Sequence, residues 1–153
     1  MKMYSKTILS AYNQITSMIT QIENTIERRA KNSFYMRCDT VTLAEQLISL
    51  GEIRKDLIEL KYIADDILSK IKPEDATLLK YKYLGIVPDD ENFDHTSRNY
   101  FRKQIKAIER FCNKLIIEGY DEEWFKNKYL KIAFISCAYQ KTLDEEGKKQ
   151  VRG

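Results

Sequence analysis

Apolar residues recur along the first thirty positions at alternating steps of four and three. This heptad spacing is typical of a helix that packs one seam against another helix, and it predicts a helix from about residue 4 to about residue 31. The seam consists of Ile8, Tyr12, Ile15, Ile19, Ile22 and Ile26. Mostly polar side chains separate them, so we expect the rest of this helix to face water.

A second apolar stripe follows the segment KNSFYMRCDT, where the helical pattern is lost. Asp39 or Thr40 can cap a helix, and this helix must end before Pro73, because the residue preceding a proline disfavours the helical conformation. The stripe consists of Leu43, Leu47, Leu50, Ile53, Leu57, Leu60, Ile63 or Ala64, Ile67 and Ile71.

Two long helices joined by a short link most simply form an antiparallel hairpin, here assigned to residues 1–72. Apolar residues remain outside both stripes, among them Ile48 and Ile58. They predict either a second packing surface or a homodimer that forms through the N-terminal hairpin.

Shorter patterns follow. PEDATLLKYKYLG predicts a third helix, with Pro73 in its first turn and Gly85 as its C-terminal stop. IVPDDENFDH is an acidic connector, and TSRNYFRKQIKAIERF opens a basic helix over 96–115. We assign residues 73–118 to a helix-turn-helix-like module and 119–146 to a C-terminal packing helix that begins at Asp121. Residues 147–153 are expected to be a frayed polar tail.

Helical projection of residues 96–115 separates an apolar sector from a basic one. The apolar sector, expected to anchor this helix in the core, contains Phe101, Ile105, Ile108, Phe111, Cys112 and Leu115. Residues 98–114 carry six basic side chains and one acidic side chain, an excess of +5 against a net charge of +3 for the whole chain. The positive charge is therefore concentrated on one face of one helix.

Such a face suits a DNA duplex, because an α-helix fits the major groove, where Arg pairs with guanine and Asn with adenine. The residues expected to contact DNA are Thr96, Ser97, Arg98, Asn99, Arg102, Lys103, Lys106 and Arg110. Of these, Thr96, Ser97 and Arg110 suit phosphates and the others suit the groove. The pattern alone does not distinguish a face that contacts DNA or RNA from an ordinary hydrated surface.

Composition narrows the class of protein. The chain has 153 residues, of which 43% are hydrophobic and 32% charged, with five Gly and two Pro, which is typical of a helix-rich globular protein. No apolar run reaches the roughly 18 residues needed to span a membrane. Three widely spaced cysteines without a CxxC motif indicate reduced thiols in a cytoplasmic protein.

Catalytic and metal-binding motifs are not evident. The single histidine, His95, lies beside Asp94 but has no nucleophile placed by a recognisable motif. The acidic pair Asp65–Asp66 lacks the ligand spacing of a calcium loop, and the five glycines form no phosphate-binding loop. We therefore expect a non-enzymatic protein without cofactor or metal.

The short helix KPEDATLLKYKYLG, the connector and the basic helix after it resemble the region-4-type helix-turn-helix of bacterial sigma factors. The longer segment LIELKYIADDILSKIKPEDATLLKYKYLG is similar to small phage-type transcription regulators that attach a helical N-terminus to such a module. TSRNYFRKQ and the later EEWF are similar to an uncharacterised family of mycoplasmas and clostridia. The resemblance covers roughly residues 43–125. It implies an all-α fold, promoter DNA as the ligand of a recognition helix at Thr96 to Arg110, and contact with RNA polymerase in some members.

One departure from this pattern supports an alternative. Only the connector separates Gly85 from Thr96, where the module normally holds a full helix plus a turn. Its Asp89, Asp90, Glu91 and Asp94 would also repel phosphate. A degenerate helix-turn-helix that docks on RNA polymerase or another protein, or that self-associates through the hairpin, is the competing hypothesis.

Overall fold

The computed structural model describes residues 3–32, 40–88 and 98–152, with side chains up to residue 148. Within these ranges the chain forms six α-helices and no strand, which confirms the prediction of an all-α fold. The helices are α1 (Met3–Asn32), α2 (Thr40–Lys70), α3 (Pro73–Leu79), α4 (Arg98–Ile117), α5 (Glu122–Tyr129) and α6 (Ala133–Arg152). A π-helical turn at Lys80–Leu84 extends α3.

The first two helices pack along each other in opposite directions. The Tyr12 hydroxyl donates to Asp65 at 2.6 Å, Glu23 pairs with Arg54 at 2.8 Å, and Arg29 donates to Gln46 at 3.3 Å. In these three contacts the residue number increases along α1 while it decreases along α2, as in antiparallel helices. Their observed bounds lie within a residue or two of the predicted ones.

Burial divides these two helices into two regions. We call residues 23–32 and 40–56 the distal hairpin, and residues 3–22 and 57–70 together with α3 to α6 the body. Helices α4 and α6 pack against α1, and α2 contacts α3 and α4. The largest fully buried side chains all lie in the body: Tyr4, Ile8, Leu9, Ile15, Leu57, Leu60, Ile67, Leu79, Phe111, Leu115, Phe125 and Tyr129.

Helix α3 and its π-helical turn begin and end as the sequence predicts. Pro73 occupies the first turn, where its missing N–H is not needed. Gly85 has φ 71°, and its N–H and that of Ile86 both donate to the Lys80 carbonyl. This left-handed conformation is readily adopted by glycine, so Gly85 ends the helix.

The C-terminal segment differs from the single helix predicted from Asp121. The start is correct, since Asp121 Oδ1 accepts the Trp124 N–H at 2.9 Å. The helix then breaks between Tyr129 and Ala133, where the Ile132 N–H bonds to the Tyr129 carbonyl three residues back at 3.0 Å. This tighter turn allows Tyr129 and Ile132 both to be buried. Helix α6 then continues to Arg152, through most of the segment expected to be a frayed tail.

Candidate nucleic-acid interface

Helix α4 is held against the body by an ion pair as well as by apolar contacts. Arg110 Nη1 donates to both carboxylate oxygens of Asp75 on α3, at 2.9 and 3.0 Å. The Asp75 side chain is buried, whereas that of Arg110 is about half exposed, at 47%. Because a buried carboxylate needs hydrogen-bonded compensation, this contact ties α4 to α3.

The buried face of α4 includes four of the six residues of the predicted apolar sector and excludes the other two. It consists of Tyr100, Gln104, Ala107, Ile108, Phe111, Cys112 and Leu115, so in the N-terminal half of α4 burial lies on the Tyr100 side. Phe101 and Ile105 are 56% and 54% exposed. The prediction that these two residues anchor the helix is therefore wrong.

Aromatic packing against the π-helical turn after α3 covers the Tyr100 side of α4. Tyr81 meets Tyr100 edge to face, with ring centroids 6.2 Å apart, and this contact draws the Tyr100 side of α4 inward. Burial, with a smaller contribution from Tyr81, raises the pKa of Tyr100. An edge-to-face pair between distant segments leaves no periodic signal in either sequence.

Gln104 is a polar residue on the buried face of α4. It is buried on the face next to Tyr100, and its side-chain Nε2 has no hydrogen-bond partner. A buried donor without a partner lowers the stability of a fold by about 1–3 kcal/mol. The orientation of α4 is thus set by its neighbours rather than by the polarity of its own residues.

Five of the predicted contact residues remain exposed on the free side of α4. They are Arg98, Asn99, Arg102, Lys103 and Lys106. None of the four cations among them pairs with a carboxylate in the described part of the chain. At 1.5 Å per residue, residues 98–106 span about 12 Å, comparable with the roughly 12 Å width of the major groove of B-DNA.

The other predicted contact residues differ from these five. Arg110 is held by Asp75, so its guanidinium is already engaged by a carboxylate, and the analogous Lys114 lies 3.5 Å from Glu118. Thr96 and Ser97 lie in the segment 89–97, outside the described residues, together with the acidic part of the connector. The free cations therefore cluster in the N-terminal half of α4.

Sequence reasoning missed two features of this surface. Phe101 lies well inside the predicted apolar sector and Ile105 at its edge, so their exposure has no signal in the projection. Asp75 lies in the first turn of α3, where an acidic residue complements the positive helix end, and nothing in that position predicts that it is the buried partner of Arg110. Such a pairing between residues 35 positions apart has no local signature.

Comparison with known proteins gives no match, whether to family models, to curated proteins or to solved structures. The resemblance to region-4-like modules consequently remains an expectation carried by its residues alone. None of the described helices is long and apolar enough to cross a membrane.

Proposed function

We propose that this chain is a non-enzymatic DNA-binding protein of the cytoplasm that regulates transcription, with the N-terminal half of α4 entering the major groove. The supporting observation is the distribution of free charge. Arg98, Arg102, Lys103 and Lys106 are exposed and have no acidic partner among the described residues, whereas the cations farther along α4 are paired.

The chemistry of each side chain on this face indicates whether it suits a base or a phosphate. Arg102 and Asn99 can make bidentate hydrogen bonds to guanine and adenine edges, whereas Lys103 and Lys106 act as point charges that suit phosphates. In helix-turn-helix proteins the first residues of the recognition helix contact the bases, and the free residues here lie in those positions. The role in transcription comes from the resemblance to region-4-like modules.

A salt titration tests this function. Binding of a mixed-sequence DNA duplex, measured by fluorescence anisotropy, should weaken steeply as salt rises. With Arg98, Lys103 and Lys106 on phosphates, the slope of log K against log salt concentration is expected to be about −3. The absence of measurable binding at low salt would overturn the proposal.

Charge reversal locates the surface. The double variant Arg102→Glu/Lys106→Glu should lose DNA binding while its circular dichroism spectrum stays helical. The matched control is Lys141→Glu/Lys148→Glu, which alters the net charge by the same amount at two exposed positions of α6. Equal losses of DNA binding in both variants would mean that binding depends only on the overall charge of the protein and that α4 is not the interface.

The exposed apolar pair on α4 favours a second candidate, docking on a protein such as RNA polymerase. Phe101 and Ile105 are one helical turn apart and more than half exposed, and exposed apolar residues rimmed by charge are common at protein interfaces. The double variant Phe101→Ala/Ile105→Ala should then lose binding to purified polymerase but keep the salt-dependent DNA binding. Loss of both would place the two activities on one surface.

A further inference from the structure

Helix α2 carries a second apolar face on the side away from the body. Seven residues at the a and d positions of consecutive heptads form it: Val41, Ala44, Ile48, Gly51, Lys55, Ile58 and Tyr62. We call this face the outer seam. At 100° per residue it lies roughly opposite Leu57, Leu60 and Ile67, which are fully buried.

The apolar side chains of the outer seam face water in the isolated chain. Val41, Ile48 and Tyr62 are 63%, 62% and 70% exposed, and Ile58 is 39% exposed. A heptad pattern sustained for three heptads is typical of a helix that packs against another helix. The described residues of this chain supply no such helix on this side.

Gly51 provides an independent observation. It lies within a long helix, where glycine is less favourable than alanine, and a Cβ atom added there would meet no atom within 4 Å. Nor is its φ positive, so nothing among the described residues requires a glycine. Close approach of a second helix at this d position would explain the glycine. Ala44, at the d position one heptad earlier, is small as well.

The charges that flank the outer seam are those expected if the partner is a second copy of the same helix. Its e positions are acidic (Glu45, Glu52, Glu59 and Asp66), and two of its g positions are basic (Arg54 and Lys61). In a parallel pair of identical helices, each g residue faces the e residue five positions later in the other helix. Arg54 then meets Glu59 of a second copy, and Lys61 meets Asp66.

An antiparallel pair of the same helices is disfavoured. In that arrangement e positions face e positions, so Glu45 would lie near Glu59 of the second copy and Glu52 near its own counterpart. Like charges in such positions destabilise a helix pair. The charge pattern is therefore self-complementary in the parallel orientation only.

We propose that two copies of this chain associate through the outer seam as a parallel two-stranded coiled coil. Arg54 and Glu59 keep their partners within the chain, Glu23 and Lys128, but both side chains are about 40% exposed and can be shared. Lys55 occupies a central a position, where a single polar residue lowers the affinity and favours a defined register. This association does not require that the chain binds DNA.

Sedimentation equilibrium over a range of concentrations tests the association. The wild-type chain should show a reversible monomer–dimer equilibrium. Ile48→Glu should raise its dissociation constant at least tenfold. Ile117→Glu, a matched change at an isoleucine that is 74% exposed on α4, should leave it unaltered. A wild-type chain that stays monomeric, or a dimer that Ile48→Glu leaves intact, would refute the proposal.

A variant that associates more tightly distinguishes an effect on this interface from an effect on folding. Lys55→Ile replaces the one charged residue of the outer seam with an apolar one, so the dissociation constant should fall at least tenfold. Misfolding does not mimic a tighter dimer of unchanged mass with unaltered helical content. An unchanged dissociation constant in this variant would exclude the outer seam as the contact.

Charge variants decide the orientation. In a parallel dimer, Arg54→Glu and Glu59→Arg should each weaken self-association, and a mixture of the two variants should form a heterodimer because both cross-helix pairs become attractive again. In an antiparallel dimer, Glu59→Arg would instead strengthen the association by facing Glu45. That second result would overturn the parallel arrangement.

Discussion

The two halves of the N-terminal hairpin carry the same kind of apolar pattern but have different environments. In the body, Tyr4, Ile8 and Ile15 of α1 are 0–1% exposed. In the distal hairpin, over residues 23–32 and 40–56, no described residue is buried, and Ile26 is only partly covered. Two helices in contact cover one stripe of each other, whereas full burial of α1 requires α4 and α6 on its remaining sides.

Polar contacts follow the same division. The body contains the buried Asp75 carboxylate paired with Arg110, and the Tyr4 hydroxyl donates to the Tyr120 carbonyl at 2.7 Å. The distal hairpin instead uses exposed pairs such as Glu23–Arg54. Water competes for exposed pairs, so they contribute little stability. We therefore expect equivalent substitutions to have large effects in the body and small ones in the distal hairpin.

The largest difference is expected between two isoleucines of one seam. Ile15→Ala should lower the free energy of unfolding by about 2–5 kcal/mol, because it removes buried methylenes and leaves a cavity. Ile26→Ala, 11 positions farther along α1, should lower it by less than about 1 kcal/mol, since its surroundings are already open to water. Urea denaturation at one protein concentration measures both. Equal losses would mean that the distal hairpin is covered as fully as the body.

The next effect concerns the ion pair between α3 and α4. Arg110→Met should lower the free energy of unfolding by about 2 kcal/mol, because it leaves the buried Asp75 carboxylate without its partner. Lys103→Met, an exposed cation on the same helix, is the control and should have almost no effect. If the two variants unfold at the same urea concentration, the ion pair between Asp75 and Arg110 does not stabilise the fold.

A smaller effect appears at alkaline pH. Burial, aided by the hydrogen bond to Asp65, raises the pKa of Tyr12 to about 12, and burial raises that of Tyr83 to about 12. An unfolded tyrosine titrates near 10, so the folded state holds these protons more tightly. The stabilisation is complete below pH 10 and is lost as pH rises from 10 to 12.

Tyr12→Phe should make the alkaline loss of stability shallower than in the wild-type chain. Urea denaturation repeated between pH 8 and pH 12 checks this prediction. The difference between the two proteins should be constant below about pH 9 and should shrink above pH 10, because only the wild-type chain loses this stabilisation. An alkaline slope as steep in the variant as in the wild-type chain would contradict it.

The smallest effect is expected for the exposed pair of the distal hairpin. Glu23→Gln removes the charge opposite Arg54, and both side chains are more than 40% exposed. The free energy of unfolding should change by no more than about 0.5 kcal/mol, and the change should vanish in high salt. A loss comparable with that of Arg110→Met would show that burial does not separate the two regions.

Most of the secondary structure could be predicted from short-range signals. The heptads of α1 and α2, Pro73 at the start of α3 and Gly85 at its end all lie within single segments. The break between α5 and α6 could not be predicted, since neither Gly nor Pro marks it and it serves to bury Tyr129 and Ile132 against distant residues.

The candidate interface was predictable only in part. The exposed cations from Arg98 to Lys106 follow from helical spacing and charge. The engagement of Arg110 and the exposure of Phe101 do not, because they depend on Asp75 and on how α4 packs against segments that lie far away in the sequence. The interpretation of this face as a DNA-reading surface remains a prediction until the salt titration is done.

The sequence by itself determined the all-α class, the lengths of the first two helices and the concentration of positive charge on α4, because each depends on residues within a few turns of one another. Tertiary structure decided which side of α4 is buried, which of its cations stay free, and which part of the hairpin is covered. These properties depend on what packs against each helix, and the periodicity of one helix carries no information about its neighbours. The apolar face left on α2 is the clearest case, since two stripes of similar spacing lie on one helix and only packing distinguishes them.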